Sequence, residues 1–337
     1  FCGCALRKNM LSQTNTRNEM MGLVVLLIAL ACVPFAGNDY LTGVGFNLLM
    51  WIALASAWAL FSALTGFISL GHVVFFGLGT YSMVLVWEHL PIWLALPVSG
   101  LAAAVFALVI ALPVLRIRGP YFVILTLGIA ELVKNIVLMV ESSLGEASRI
   151  LLDAPSIEAL FYWMLACAFL AILAGFYVRK NPRWWLGLRA LRANEEAAET
   201  VGVPVGRMKL MVLVASAFIV GAVGGVSALR STYFEAGAAF DPMISFTMIA
   251  MTIIGGGDSL KGPVLGAIGL TLLQEVLWAN FPQLYTVILG VLLTLFVLYV
   301  PGGLSGWMNR LLAKLFKKGS AANATPTADA AEAGGGK

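Results

Sequence analysis

Few side chains in this 337-residue sequence could do chemistry, and most of those stand in apolar surroundings. His72 follows Ser69 by three residues and Gly71 by one. A lone histidine there can line a path for a polar solute or serve as a structural hydrogen-bond partner. No chain of Asp, Glu and His accompanies it, so a proton relay lacks its members. Glu131 stands three residues before Lys134, with Asn135 next to it. On a helix that spacing lets the two charges neutralise each other, although Glu131 can also line a solute path. Glu275 follows Gln274 and has no basic neighbour in sequence. The run Gly255-Gly256-Gly257-Asp258-Ser259 is glycine-rich, but a phosphate loop needs Gly-x-x-x-x-Gly-Lys-Ser/Thr between a strand and a helix. With Gly262 and Pro263 it reads instead as a tight turn that brings two helices together. No nucleophile elbow, metal-ligand pair or redox motif stands elsewhere. The sequence therefore reads as a chain that is not an enzyme, holds no metal or cofactor, and hydrolyses no ATP itself.

The surroundings explain the scarcity. The chain is 60% hydrophobic and 11% charged, with a mean hydropathy of +0.93. A soluble domain carries roughly 25% charged residues, so lipid is the solvent for most of this chain. A net charge of +4 is too small to argue for nucleic acid. The four cysteines, Cys2, Cys4, Cys32 and Cys167, suggest no disulfide framework. A bilayer core takes about 20 apolar residues in a helix. Ten runs qualify: 20–36, 46–64, 66–87, 92–114, 120–140, 159–178, 210–230, 242–255, 262–279 and 284–300. Met20–Phe35 reads as a first span rather than a leader, because no clear small-residue cleavage site follows it. The run 242–255 is short, and only Thr65-Gly66 separates the second run from the third. Broken or re-entrant helices are expected at these two places, tolerated only against protein or a water-filled cavity.

Charge sets the expected direction. Arg7, Lys8, Arg17, Arg116, Arg118, the stretch from Arg179 to Lys209, and Arg310, Lys314, Lys317 and Lys318 all fall on one side if ten spans are counted. Basic loops mark the cytoplasmic side, which places both termini inside. The acidic 141–158 stretch falls outside. Segment 1–19 is then an N-terminal cytoplasmic arm, 20–308 the transmembrane domain, and 309–337 a basic, then Ala/Gly/Thr-rich disordered tail.

One charged island interrupts this apolar sequence. Arg189, Arg192, Asn194, Glu195, Glu196, Ala197, Ala198 and Gly202 lie in a helix-prone stretch between two spans. Asn194 suits an N-cap, the two glutamates suit a positive helix N-terminus, and Gly202 with Pro204 suits its end. A second short helix from Val205 to Lys209 would lead into the next span. Such a helix–turn–helix is a compact knob, suited to docking a soluble partner. A solvated connector is the competing reading.

Glu196-Ala197-Ala198-Glu199-Thr200-Val201-Gly202 has the EAA-x-x-x-G form of the loop by which ABC importer permeases contact their ATPase. Gly187 to Ala198, with Val203-Pro204-Val205-Gly206-Arg207-Met208-Lys209-Leu210 after it, resembles the cytoplasmic loop of the branched-chain amino acid permease family, Liv type, M subunit. Residues 65–81 are similar to that family's SLGH-x-x-FFG-x-GAY segment, and 116–127 to its LRGPYFAIVTL segment. Residues 253–267 match its GG-x-GS-x-x-GP-x-x-GA loop, and Tyr299-Val300-Pro301-Gly302-Gly303-Leu304 fits its ending. The likeness covers roughly 46–308 in the family's order. Two places depart from it. The Gly-Gln that usually precedes Ser-Leu-Gly-His is missing, and Glu141 to Ser148 replaces a TGG-x-x-GL stretch.

The resemblance implies an all-α polytopic permease subunit of an ABC importer in a bacterial inner membrane. It implies a homologous permease subunit beside it, two ATPase subunits that hydrolyse the ATP, and a periplasmic substrate-binding protein. The solute would be a branched-chain or related amino acid; urea, amide or aromatic-acid relatives stay open. Arg189, Arg192, Asn194, Glu195, Glu196, Ala197, Ala198 and Gly202 become the ATPase-coupling residues. Ser69, Gly71, His72, Tyr121, Thr126 and Glu131 become the candidate translocation path. Gly255, Gly256, Gly257, Gly262 and Pro263 become the hinge. An ion-coupled secondary transporter is the rival in another class, and it would need Glu131 and Glu275 as working carboxylates.

Overall fold

A computed structural model describes residues 19–117, 119–144, 149–150, 155–231, 233–281 and 290–291. Segment 1–18, the tail 309–337 and all but two residues of the run 284–300 lie outside them, so the tenth expected span and the direction of the termini go undescribed. The described chain is helical. Its helices are α1 (19–31), α2 (Asp39–Trp58), α3 (His72–Val86), α4 (Ile92–Val114), α5 (Pro120–Leu144), α6 (Ile157–Lys180), α7 (Pro182–Ala193), α8 (Glu195–Thr200), α9 (Val205–Arg230), α10 (Ala236–Ala239), α11 (Pro242–Gly255) and α12 (Lys261–Asn280). A two-residue antiparallel ladder pairs β1 (Arg149–Ile150) with β2 (Tyr233–Phe234). Seven stretches are long and apolar enough to cross a membrane: Asp39–Ala63, Ile92–Val114, Pro120–Ser143, Ile157–Lys180, Val205–Arg230, Gly237–Gly255 and Lys261–Asn280. Glu19–Phe35 and His72–Val86 are shorter apolar helices.

The core forms around α9, which packs along α2, α3, α4 and α6. Small residues permit this. A Cβ on Gly79 of α3 would stand 2.0 Å from the Gly221 carbonyl oxygen, so the two backbones touch. Packing of this kind replaces the hydrophobic drive that lipid cannot supply between helices. The large side chains Phe46, Phe61, Phe122 and Phe161 fill the interior, while Leu112, Ile124, Met139 and Val105 face outward, as lipid-facing residues do.

Contacts between helix ends fix the directions. Ala63, beyond α2, meets Arg192 of α7, and Lys261 at the start of α12 pairs with Glu19 at the start of α1. Asp39, Ile157, Arg230, Met243 and Trp278 meet at the opposite end. Helices α2, α6 and α11 therefore run one way and α9 and α12 the other, and the linker between α6 and α9 lies at one end of the bundle.

Two expected boundaries shift. Helix α2 starts at Asp39 rather than near 46, because Asn38 caps it by accepting from the Tyr40 amide at 3.0 Å. The run 66–87 is helical only from His72. After α2 the chain makes a π-helical turn, Ala59–Ala63, and residues 66–71 then form an irregular stretch, exposed at Gly66 and Ile68 and buried from Ser69. Hydrophobicity alone drew this run as a helix. The irregular stretch survives because side chains take up its peptide groups. Trp58 Nε1 donates to the Ser69 carbonyl at 2.9 Å, and Ser245 Oγ donates to the Leu70 carbonyl at 2.8 Å. The Leu70 amide donates to Thr126 Oγ1 at 3.2 Å, the Ser69 amide to Ser62 Oγ at 3.4 Å, and the Val73 amide to Ser245 Oγ at 3.0 Å. Unpaired backbone groups at this depth would cost several kcal/mol each. Ser245→Ala removes one donor and one acceptor. It is expected to destabilise the protein by about 1–3 kcal/mol for each group orphaned, read as a lower melting temperature in detergent. An unchanged melting temperature would mean that these bonds do not hold the break.

Candidate functional site

The linker and the broken span form one connected site. Pro182 starts α7 and Asn194 separates it from α8. Asn194 Oδ1 accepts from the Ala197 amide at 3.2 Å, the N-cap expected for that position. Gly202 ends the unit at φ +86°, and the Val203 amide returns to the Ala198 carbonyl at 3.0 Å. A residue with a side chain is strained there, which explains the glycine. The expected short helix from Val205 to Lys209 is the first turn of α9, with no break before the span. Leu188, Leu191, Ala198 and Met208 are buried beneath the unit. Arg189 stacks over Trp185, 5.5 Å from the ring centroid, on the outer face. Glu196, Ala197 and Val201 are exposed beside it. Between α7 and the start of α9 lies an apolar cleft of about 580 Å³, walled by Leu186, Val201, Pro204, Met208 and Met211.

Two charged contacts join this unit to the spans. Lys209, on the first turns of α9, is 1% exposed and pairs with Glu195 at the N-terminus of α8. Its ammonium also lies 4.2 Å from the centroid of the Phe67 ring, inside the broken stretch. Arg192 pairs with Asp258 in the turn between α11 and α12, and donates to the Ala63 carbonyl at 3.0 Å. Arg179 adds weak bonds of 3.5 Å to the Gly257 and Ser259 carbonyls. Lys209 and Asp258 were legible only as a basic mark and a turn residue. Each pairs with a residue 14 or 66 positions away, and no local spacing announces that.

The glycine turn is tight. Gly256 takes φ +90°, and Gly262 and Pro263 open α12. A Cβ on Gly262 would stand 1.8 Å from the Gly256 carbonyl oxygen, and one on Gly266 would stand 1.8 Å from that of Met251.

The candidate path residues separate into two groups. Ser69, Gly71, His72 and Thr126 come together in a buried knot. His72 Nδ1 lies 3.0 Å from Ser69 Oγ, and its Nε2 lies 3.0 Å from Ser216 Oγ on α9. Ser216 donates its own proton to the Leu213 carbonyl, so it accepts from Nε2–H. The remaining nitrogen, Nδ1, then accepts from Ser69, and the imidazole bridges two elements in its neutral form. Tyr121 is 74% exposed on the outer surface of α5, away from this knot. Glu131 is half-buried further along α5, and among the described residues it forms no ion pair with Lys134. The i,i+3 spacing permits that pair without enforcing it. Asn135 instead donates to the Glu131 carbonyl at 2.7 Å. Glu275 does have a partner, the Tyr40 hydroxyl, at 2.7 Å.

Apolar helices crossing in opposite directions, one of them broken and satisfied internally, define a multi-pass membrane protein. A family model described as "Branched-chain amino acid transport system / permease component" matches residues 41–298, and the chain belongs to that family. It is 28% identical over 324 residues to the high-affinity branched-chain amino acid transport system permease protein LivM of Escherichia coli (strain K12), covering 86% of this chain and 76% of that one. It is 26% identical over 324 residues to the protein of the same name in Salmonella typhimurium (strain LT2), with the same coverage of each. No solved structure matches the chain.

Proposed function

We propose that this chain is the membrane-spanning subunit of an ATP-driven ABC importer for branched-chain or related amino acids, in a bacterial inner membrane. Residues 20–308 form its permease domain. A homologous permease subunit completes the pathway, a periplasmic binding protein delivers the solute, and two separate ATPase subunits burn the ATP. This chain binds no nucleotide. The observation that carries the reading is the double tie of the α7–α8 unit: Glu195 to Lys209 on α9, and Arg192 to Asp258 in the α11–α12 turn.

A unit held this way moves as a lever. Closure of the ATPase pair displaces the exposed face around Arg189, Glu196, Ala197 and Val201. The displacement reaches α9 and Phe67 through Lys209, and the glycine turn through Asp258. The pathway then changes the side on which it opens. ATP binding drives the switch only because the closed ATPase pair interacts better with one position of the lever than with the other. Residues 66–71 suit the moving part, because side-chain hydrogen bonds hold them instead of a helical ladder.

The docking step has a direct test. The double variant Glu196→Lys/Gly202→Asp reverses one exposed charge and places a side chain at φ +86°. Co-purification of the ATPase subunits is expected to fall at least about tenfold, the effect of about 1.4 kcal/mol. Undiminished association would put the docking surface elsewhere.

A further inference from the structure

At the end of the bundle opposite the linker, α2, α9, α11 and α12 surround a cleft of about 650 Å³ that nothing above explains. Its walls combine three chemistries. Arg230, the last residue of α9, donates to Asn47 Oδ1 at 2.8 Å and lies 4.6 Å from the centroid of the Phe46 ring. Among the described residues no carboxylate pairs with this guanidinium. Glu275 accepts from the Tyr40 hydroxyl at 2.7 Å, which leaves lone pairs on the carboxylate. Trp51 and Ile244 supply an apolar surface in the same cleft.

Among the described residues this half-buried guanidinium has a neutral amide and an aromatic face as partners and forms no ion pair. The desolvation cost is already borne by the fold, so an incoming carboxylate gains a charge-assisted, bidentate contact without it. The carboxylate of Glu275, in an exposed hydrogen bond with Tyr40, offers an opposite charge to an ammonium group. The cleft sets one cation, Arg230, against two carboxylates, Glu275 and Asp39, beside an apolar wall, and a zwitterion that carries an aliphatic side chain can meet all three.

We infer that this cleft binds the free amino acid at the mouth of the pathway: Arg230 and Asn47 hold its carboxylate, Glu275 and Tyr40 hold its ammonium, and Trp51 and Ile244 receive its side chain. The identity of the solute rests on the transport reading above. A site of this kind gives the permease a selection step of its own, after release from the binding protein. The same pairing of charges also suits the phosphate and ammonium of a phosphatidylethanolamine headgroup, and the experiment separates the two.

The test is calorimetric titration of the full transporter complex, without binding protein, in nanodiscs of phosphatidylcholine and phosphatidylglycerol. The ligands are leucine, isocaproate (no ammonium) and isoamylamine (no carboxylate). Arg230→Gln is expected to weaken leucine and isocaproate at least about tenfold and leave isoamylamine unchanged. Glu275→Gln is expected to weaken leucine and isoamylamine and leave isocaproate unchanged. Arg230→Lys, which keeps the charge, should recover part of the leucine affinity. Equal weakening of all three ligands would show a structural role only, and unchanged leucine affinity in both glutamine variants would also overturn the assignment. So would an absence of leucine binding to the wild type. Leucine binding that vanishes when phosphatidylethanolamine is added would give the cleft to lipid. A wild-type complex that moves no branched-chain amino acid with ATP would sink the transport reading alone, because the acid–amine split still decides the cleft.

Discussion

Lys209→Met is expected to cut ATP-driven amino-acid uptake at least tenfold while the ATPase subunits still co-purify. Lys209 touches both the α7–α8 unit, through Glu195, and the broken span, through Phe67. Removing one partner of a buried ion pair costs about 3–5 kcal/mol, because the other charge stays buried and unmatched. Here Glu195, 14% exposed at its side chain, would lose the Lys209 ammonium. The companion variant Glu195→Leu/Lys209→Met separates structure from transmission. An apolar pair of similar volume commonly restores stability. If the pair only stabilises the fold, the double variant recovers uptake along with melting temperature. If the pair transmits motion, it recovers melting temperature and leaves uptake low. The second result is expected, because the cation–π contact to Phe67 is lost in both variants. Uptake measured beside thermal unfolding in the same preparations decides between them.

Gly266→Leu is expected to prevent α11 and α12 from closing on each other. The glycine's Cβ position lies 1.8 Å from the Met251 carbonyl oxygen, and backbone rather than a flexible side chain stands in the way. Overpacking of an ordinary core costs about 1–3 kcal/mol, and a clash with backbone costs more. Little folded protein should be recovered, read as loss of the monodisperse size-exclusion peak. Gly128→Ala is the control. Gly128 lies within α5 with nothing inside 4 Å of the added methyl. That change should be neutral or stabilise by up to about 1 kcal/mol, since glycine is a poor helix former. Equal behaviour of the two variants would mean that the turn is looser than the structure describes.

Much of this was legible in the sequence, and the limits have a physical cause. The island 189–202 announced its cap and its end because helix capping is local: Asn194, Glu195 and Gly202 are each read within a few residues. The break after Thr65 was legible for the same reason. What it breaks into was not. The irregular run 66–71 depends on Trp58, Thr126 and Ser245, and Ser245 stands 175 positions from the peptide it satisfies. The spacing of Glu131 and Lys134 offered a pair that the fold leaves unmade. Glu275 lacked a neighbour in sequence and found one 235 positions away. Arg230 and Asn47 meet across 183 positions. Hydrophobic patterning places each of these residues on a helix, but it does not bring two helix ends together.

The proposed function has separate ATPases power this chain through the linker. The most direct measurement is uptake of radiolabelled leucine into proteoliposomes, comparing this chain alone under a proton or sodium gradient with the full complex, its binding protein and enclosed ATP. Uptake is expected only in the second case, and it should stop with a hydrolysis-deficient ATPase subunit. Gradient-driven uptake by the chain alone, indifferent to ATP, would contradict the account.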